Sequence, residues 1–163
     1  MIKTISILVE NKAGMLVRVT NLFSRRGYNI ESLAVGITEK SEISRITVIV
    51  DTDERILDQI VHQLMKLVGV IKVKVLDDDA IITRELVLIK VKADSTCRNE
   101  IIQIAEIFRA RIIDLCPDSL TIELTGQYDK TNALLSMIEK FGIIEVARTG
   151  KVSLSRGTDS INT

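Results

Sequence analysis

Residues 5–36, "ISILVENKAGMLVRVTNLFSRRGYNIESLAVG", hold the change of period on which the fold turns. Ile2, Ile5, Ile7, Leu8 and Val9 make a strand-like run that stops at Asn11-Lys12-Ala13-Gly14. From Met15 the apolar residues recur at Leu16, Val19, Leu22 and Phe23, the spacing of one helical face over 15–26. Gly27 stands where a helix end favours a residue free to take positive φ. A second strand is expected over 28–36. The amide and glycine residues thus gather at the two ends of one short helix, where they serve either as punctuation or as ligand-facing backbone.

The pattern continues outward. Ile43 to Val50 reads as a third strand with Ile46, Val48 and Val50 on one face, and Asp51-Thr52-Asp53 supplies caps for a helix. Ile56, Leu57, Ile60, Val61, Leu64 and Met65 form that helix's apolar stripe. Val70, Ile71, Val73 and Val75 close the set as a fourth strand. The order is β-α-β-β-α-β. After the acidic run Asp77-Asp78-Asp79, read as a solvated linker or, less simply, a metal site, the same order restarts. Leu86–Val91, Arg111–Leu115, Leu120–Leu124 and Ile143–Val146 are strands; Ile101, Ile104, Ala105 and Phe108, then Leu134, Leu135 and Ile138, mark helices. The reading is an α+β protein of two ferredoxin-like βαββαβ units with antiparallel sheets. It spans 1–76, a linker at 77–83, and 84–163, with a polar tail from Arg156 expected to fray. Each unit is small, and the second face of its sheet needs cover. Strands such as "ISRITVIV" are apolar enough to want a partner, which points to domain pairing or a dimer.

The totals exclude several roles. The 163 residues carry 46% apolar side chains, 3% aromatic and no Trp, so the core is aliphatic and base stacking is unsupported. Lys+Arg and Asp+Glu both number 22, a balance unlike that of a protein built to grip phosphate backbones. No run reaches the roughly 20 apolar residues of a membrane span, and no leader is read at the N-terminus. Cys97 and Cys116 are expected to be packed, reduced thiols of a cytoplasmic protein.

Nothing marks a catalyst. His62, the lone histidine, falls on the polar side of the second helix. There is no G-x-S-x-G, H-E-x-x-H, P-loop or G-x-G-x-x-G, and no C-x-x-C. The chain reads as a binding module. The turn at 11–14 leads into a helix whose first N–H groups suit a carboxylate. Gly14 leaves the backbone approachable, and Asn11 can donate and accept. The segment at 29–30 opens an edge strand whose carbonyls could take an ammonium. With walls from Leu16, Ile30 or Leu33, two paired chains could hold a small apolar α-amino acid. The plainer alternative is a turn and a C-cap.

"LVENKAGMLVRVTNLFSRRGYNIESLAVG" resembles the start of an ACT domain, a regulatory module that binds small ligands. Together with "ISRITVIV", "QLMKLVGVIKV", "TRELVLIKV", "EIFRARIID" and "EVARTGKVSLSRG", the chain from 2 to 157 resembles the regulatory, small subunit of acetohydroxyacid synthase (acetolactate synthase). That resemblance implies no catalytic site and no cofactor in this chain. It implies a catalytic large subunit that carries thiamine diphosphate, Mg²⁺ and FAD, and a homodimer through ACT domains. It also implies activation of the catalytic subunit and feedback inhibition by valine or a related branched-chain amino acid. The implied effector residues are Asn11, Ala13, Gly14, Met15 and Leu16 of one chain with Asn29 and Ile30 of its mate. Gly36 departs from the family's commoner Ala. A stand-alone two-ACT sensor acting on a transcription or translation factor fits the first half equally, but not the blocks of the second. A small ferredoxin-like enzyme lacks an acid–base constellation.

Overall fold

The computed structural model describes residues 1–76 and 78–162, with Asp78 described by its backbone alone. It divides into two compact units, Met1–Ile82 with Lys151–Thr163, and Thr83–Gly150.

The first unit runs β1 (Ile2–Glu10), α1 (Met15–Arg25), β2 (Ser32–Ile37), β3 (Ile43–Asp51), α2 (Glu54–Met65) and β4 (Val70–Leu76). The antiparallel sheet has the order β2-β3-β1-β4, so β2 lies at an edge as expected. Ile7 sits opposite Ile46 on one side and Val73 on the other. Strand alternation then puts Ile5, Ile7, Val9, Ile46, Val48 and Val50 on one face. There they join Met15, Val19 and Phe23 of α1 and Leu57, Ile60 and Leu64 of α2 in one core cluster. Asp53 caps α2, its Oδ1 accepting from the Ile56 N–H at 2.8 Å.

The end of α1 is set by backbone geometry. Gly27 has φ +69; its N–H donates to the Ser24 carbonyl at 3.1 Å and the Tyr28 N–H donates to Phe23 at 3.0 Å. These are the paired bonds of a Schellman stop, which turn Tyr28 back onto the core. Residues 28–30 are therefore not strand, and β2 begins at Ser32 rather than at 28. The ladder opens with the Glu31 N–H donating to the Ile49 carbonyl at 2.9 Å.

The second unit repeats the order: β5 (Ile81–Lys92), α3 (Arg98–Ile107), β6 (Arg111–Leu115), β7 (Ser119–Gly126), α4 (Tyr128–Ile138) and β8 (Ile143–Arg148). Its strands lie β6-β7-β5-β8. Val87, Ile89 and Val91 pack with Leu120, Ile122, Leu124, Ile101, Ile104, Leu134 and Ile138. A charged group is buried beside them. Glu85, 3% exposed, accepts from the Thr131 hydroxyl and from Arg148 Nη1 at 3.2 Å. Arg148 Nη2 donates to Asn132 Oδ1 at 2.7 Å, and the guanidinium stands over the Tyr128 ring.

The C-terminal segment corrects two expectations. Residues from Lys151 onward belong to the first unit, so 84–163 is not one compact body. Nor does the tail fray. The Lys151 N–H donates to Ser32 Oγ on β2 at 2.8 Å, and Lys74 on β4 pairs with Asp159 at 2.6 Å. Arg156 N–H donates to the Ala80 carbonyl at 2.7 Å, and Ile161 is 2% exposed. Ser32 and Lys74 occupy opposite edges of the sheet and face away from the helices, by register with Ile49 and Ser6. The segment thus straps the face whose cover the sequence left open. Within it β9 (Val152–Ser155) pairs with β5, whose first residues Ile81 and Ile82 also belong to this unit. The expected linker is shorter than 77–83, because Asp78–Ala80 form a 3-10 turn and β5 starts at Ile81. A metal site at 77–79 rests on residues that lie partly outside the described ones.

Candidate functional site

The 11–14 turn is held from a distance. The Asn11 N–H donates to the Glu42 carbonyl at 2.7 Å, and its Nδ2 donates to the Ser41 carbonyl at 2.9 Å. The β2–β3 hairpin therefore fixes the turn, and Asn11 keeps Oδ1 as an acceptor. The Glu42 carboxyl is held below the usual range, first by a backbone hydrogen bond and then by the Ser41 hydroxyl. Nothing in a single sequence announces a contact across thirty positions, so Ser41 and Glu42 are absent from the sequence-based set.

Gly14 is the N-cap of α1 with φ +85, and a Cβ there would meet nothing within 4 Å. That conformation favours glycine, and the space beyond is open. The Met15 N–H donates to Lys12 O at 3.3 Å and the Arg18 N–H to Gly14 O at 3.0 Å. The N–H groups of Ala13, Gly14, Leu16 and Val17 have no partner among the described residues. They form a helix-start donor set under a positive dipole end.

The side chains divide. Asn11, Ala13 and Leu16 are exposed. Met15 is buried, and its sulfur packs within the core near Gly69, so its side chain is turned away from the turn's exposed face. Asn29 is exposed and donates to the Glu31 carboxylate, while Ile30 is half-buried against the core. Gly36 has open space about it, so its departure from Ala carries no steric consequence.

One chain does not bring the two groups together. Asn11 to Leu16 stand at the start of α1; Asn29 and Ile30 follow its end. The 11 residues of that helix separate them by about 16 Å. Asn29 instead lines a hollow of ≈ 490 Å³ with Met1, Asp51 and Thr52. Apolar side chains lie exposed on the same elements: Val17 on α1, and Val35 and Ile37 on the edge strand β2.

Elsewhere the chemistry is sparse. His62 is exposed with Nδ1 2.7 Å from the Asp58 carbonyl oxygen. Cys97 is half-buried, but Cys116 is exposed in the β6–β7 connection, not packed as expected. The sole proline, Pro117, follows it and is exposed as well. No group of three His, Cys, Asp or Glu among the described residues could hold a metal ion. No helix among them is long and apolar enough to cross a membrane.

A ferredoxin-like unit with a glycine-opened helix start and an exposed edge strand is the architecture of an ACT regulatory module. Residues 5–72 match the AHAS small subunit-like ACT domain, and residues 84–157 match the family described as small subunit of acetolactate synthase. The chain is 52% identical over 160 residues to the acetolactate synthase small subunit of Mycobacterium bovis, covering 98% of this chain and 95% of that one. It is 49% identical over 154 residues to a probable acetolactate synthase small subunit of Archaeoglobus fulgidus, covering 94% and 96%. The crystal structure of the Thermotoga maritima acetolactate synthase small subunit superposes with a TM-score of 0.92 at 39% identity, over 98% of this chain and 99% of that one. The chain belongs to the family of acetolactate synthase small subunits.

Proposed function

We propose that this chain is the non-catalytic regulatory subunit of an acetolactate synthase. It binds the catalytic large subunit, raises its activity and confers feedback inhibition by valine or a related branched-chain amino acid. Thiamine diphosphate, Mg²⁺ and FAD belong to the partner, where pyruvate is condensed; this chain supplies no group to them.

The observation that carries the effector site is the row of unpartnered N–H groups at Ala13, Gly14, Leu16 and Val17 beneath an open approach. An amino-acid carboxylate satisfies these donors. The ammonium and side chain are met by Asn29, Ile30 and neighbouring backbone of a second chain. A two-fold pair is needed because α1 holds the two groups apart within one chain, whereas an isologous contact sets the start of one α1 beside the end of the other. Val17, Val35 and Ile37 supply apolar area for that contact. Effector binding then favours one arrangement of the pair, with a coupling free energy of about 1–3 kcal/mol to the catalytic subunit.

The test is inhibition by L-valine of the reconstituted complex carrying Gly14→Asp or Asn29→His. Loss of inhibition with complex formation retained is expected for both. Full valine sensitivity in both variants overturns the site.

A further inference from the structure

Between α1 and α2 lies a cavity of ≈ 360 Å³ whose lining is basic: Arg18 and Arg25 of α1, Arg26 at its end, and Lys66 at the end of α2. Asn21 and Gln63 add amides, and no carboxylate lines it. Arg18 directs Nη1 to the Val68 carbonyl at 3.2 Å. The side chains of Arg25, Arg26 and Lys66 have no hydrogen-bond or ion-pair partner among the described residues. Helix ends explain part of this. Each C-terminus carries about half a negative charge, so two ends offset about one of the four cations and leave about three. In a chain of zero formal net charge, that is a local concentration of one sign in a concave place.

We infer that this cleft is a binding site for a small polyphosphate anion. Guanidinium forks take phosphoryl oxygens in pairs, and three of the four cations are arginines. The volume falls within the range of small-ligand sites. The floor, Leu22 and Leu67, is half-buried against the core and offers no deep pocket for the apolar anchor of a docking peptide. The cleft shares no lining residue with the proposed effector site, yet α1 contributes to both. An anion held by Arg25 and Arg26 acts on the same helix whose first turn faces the amino acid.

The experiment is calorimetric titration of the full purified chain with sodium tripolyphosphate, with pyrophosphate, citrate and a Glu-rich peptide in parallel. Saturable one-site binding of tripolyphosphate, weakening with ionic strength, is expected. Arg25→Gln with Lys66→Gln should weaken it by about tenfold or more. The pair Arg111→Gln with Lys40→Gln, both exposed and neither lining the cleft, should leave it unchanged, and so should Gly14→Asp. The last variant separates failure of this site from failure of the amino-acid site. Unfolding midpoints of the free variants show that the substitutions leave the fold intact. No saturable tripolyphosphate binding, equal binding by the cleft variant, equal loss in the control pair, or capture of the peptide alone would each overturn the inference.

Discussion

Lys74 Nζ lies 2.6 Å from Asp159 Oδ1, tying the outer strand of the first sheet to a residue 85 positions later. The Asp159 carboxyl is held below its ordinary range, first by this bond and then by the Ser155 hydroxyl. A carboxylate lowered in the folded state contributes stability above its unfolded pKa of about 4. That contribution disappears as pH falls through the lowered value. Amide exchange in residues 156–162, corrected for its intrinsic pH dependence, should rise over that acid range before the β1–β3 ladder opens. Lys74→Ala should show the loosened tail already at neutral pH. Unchanged tail protection in that variant would mean the pair does not pin the strap.

Gly14 and Gly27 both take positive φ, at +85 and +69. Alanine at either should cost about 1–2 kcal/mol in urea unfolding, because a Cβ crowds the following carbonyl. Both positions are open to a methyl group, so strain is the whole effect. Similar losses at the two sites check the geometry; a loss at neither refutes it.

Gly69 combines strain with crowding. Its φ is +93, and a Cβ would lie 2.5 Å from the Met15 sulfur. Gly69→Ala should exceed the cost at Gly14 by about 1–3 kcal/mol of overpacking. Met15→Ala should relieve part of it, so the double variant is less destabilised than the sum. Strict additivity would show that the two groups do not meet.

Arg148 and Glu85 form the one ion pair in which a carboxylate is nearly buried, among the described pairs. Arg148→Ala strands that carboxylate and should cost roughly 1.5–3 kcal/mol. Glu85→Gln keeps the volume and the acceptor for Thr131, and should cost less. Urea midpoints of the two variants decide the order.

Arg109 takes φ +54 in the same stop that Gly27 makes after α1, with its N–H donating to Glu106 O and Ala110 to Ala105 O. An arginine bears the steric cost that glycine avoids, so Arg109→Gly should raise stability, by up to about 1 kcal/mol. A loss on substitution would show that the arginine side chain makes up the difference.

How far the sequence reveals these features follows from their range. Ile46, Val48 and Val50 alternate, and Met15, Val19 and Phe23 recur at helical spacing; each signal is local and each element stands where it predicts. The strand expected at 28 fails because Tyr28 is apolar enough to extend the pattern, while the Gly27 stop spends its N–H backward on Phe23. The strap is illegible for another reason. Its residues are polar and short-periodic, and Asp159 acquires meaning only from Lys74. At the candidate site, Asn11 and Gly14 are visible as types. That Met15 turns inward, and that Ser41 and Glu42 hold Asn11, depends on packing between distant segments.

The strap also orders events in time. The first unit is split in sequence, with the whole of Thr83–Gly150 lying between its two parts. A ribosome emits the second unit complete while the first still lacks Ser153 and Ile161, both buried in the finished fold. The portion made earliest is therefore sealed last, and a nascent chain halted before residue 151 carries an N-terminal sheet with one face still unlatched.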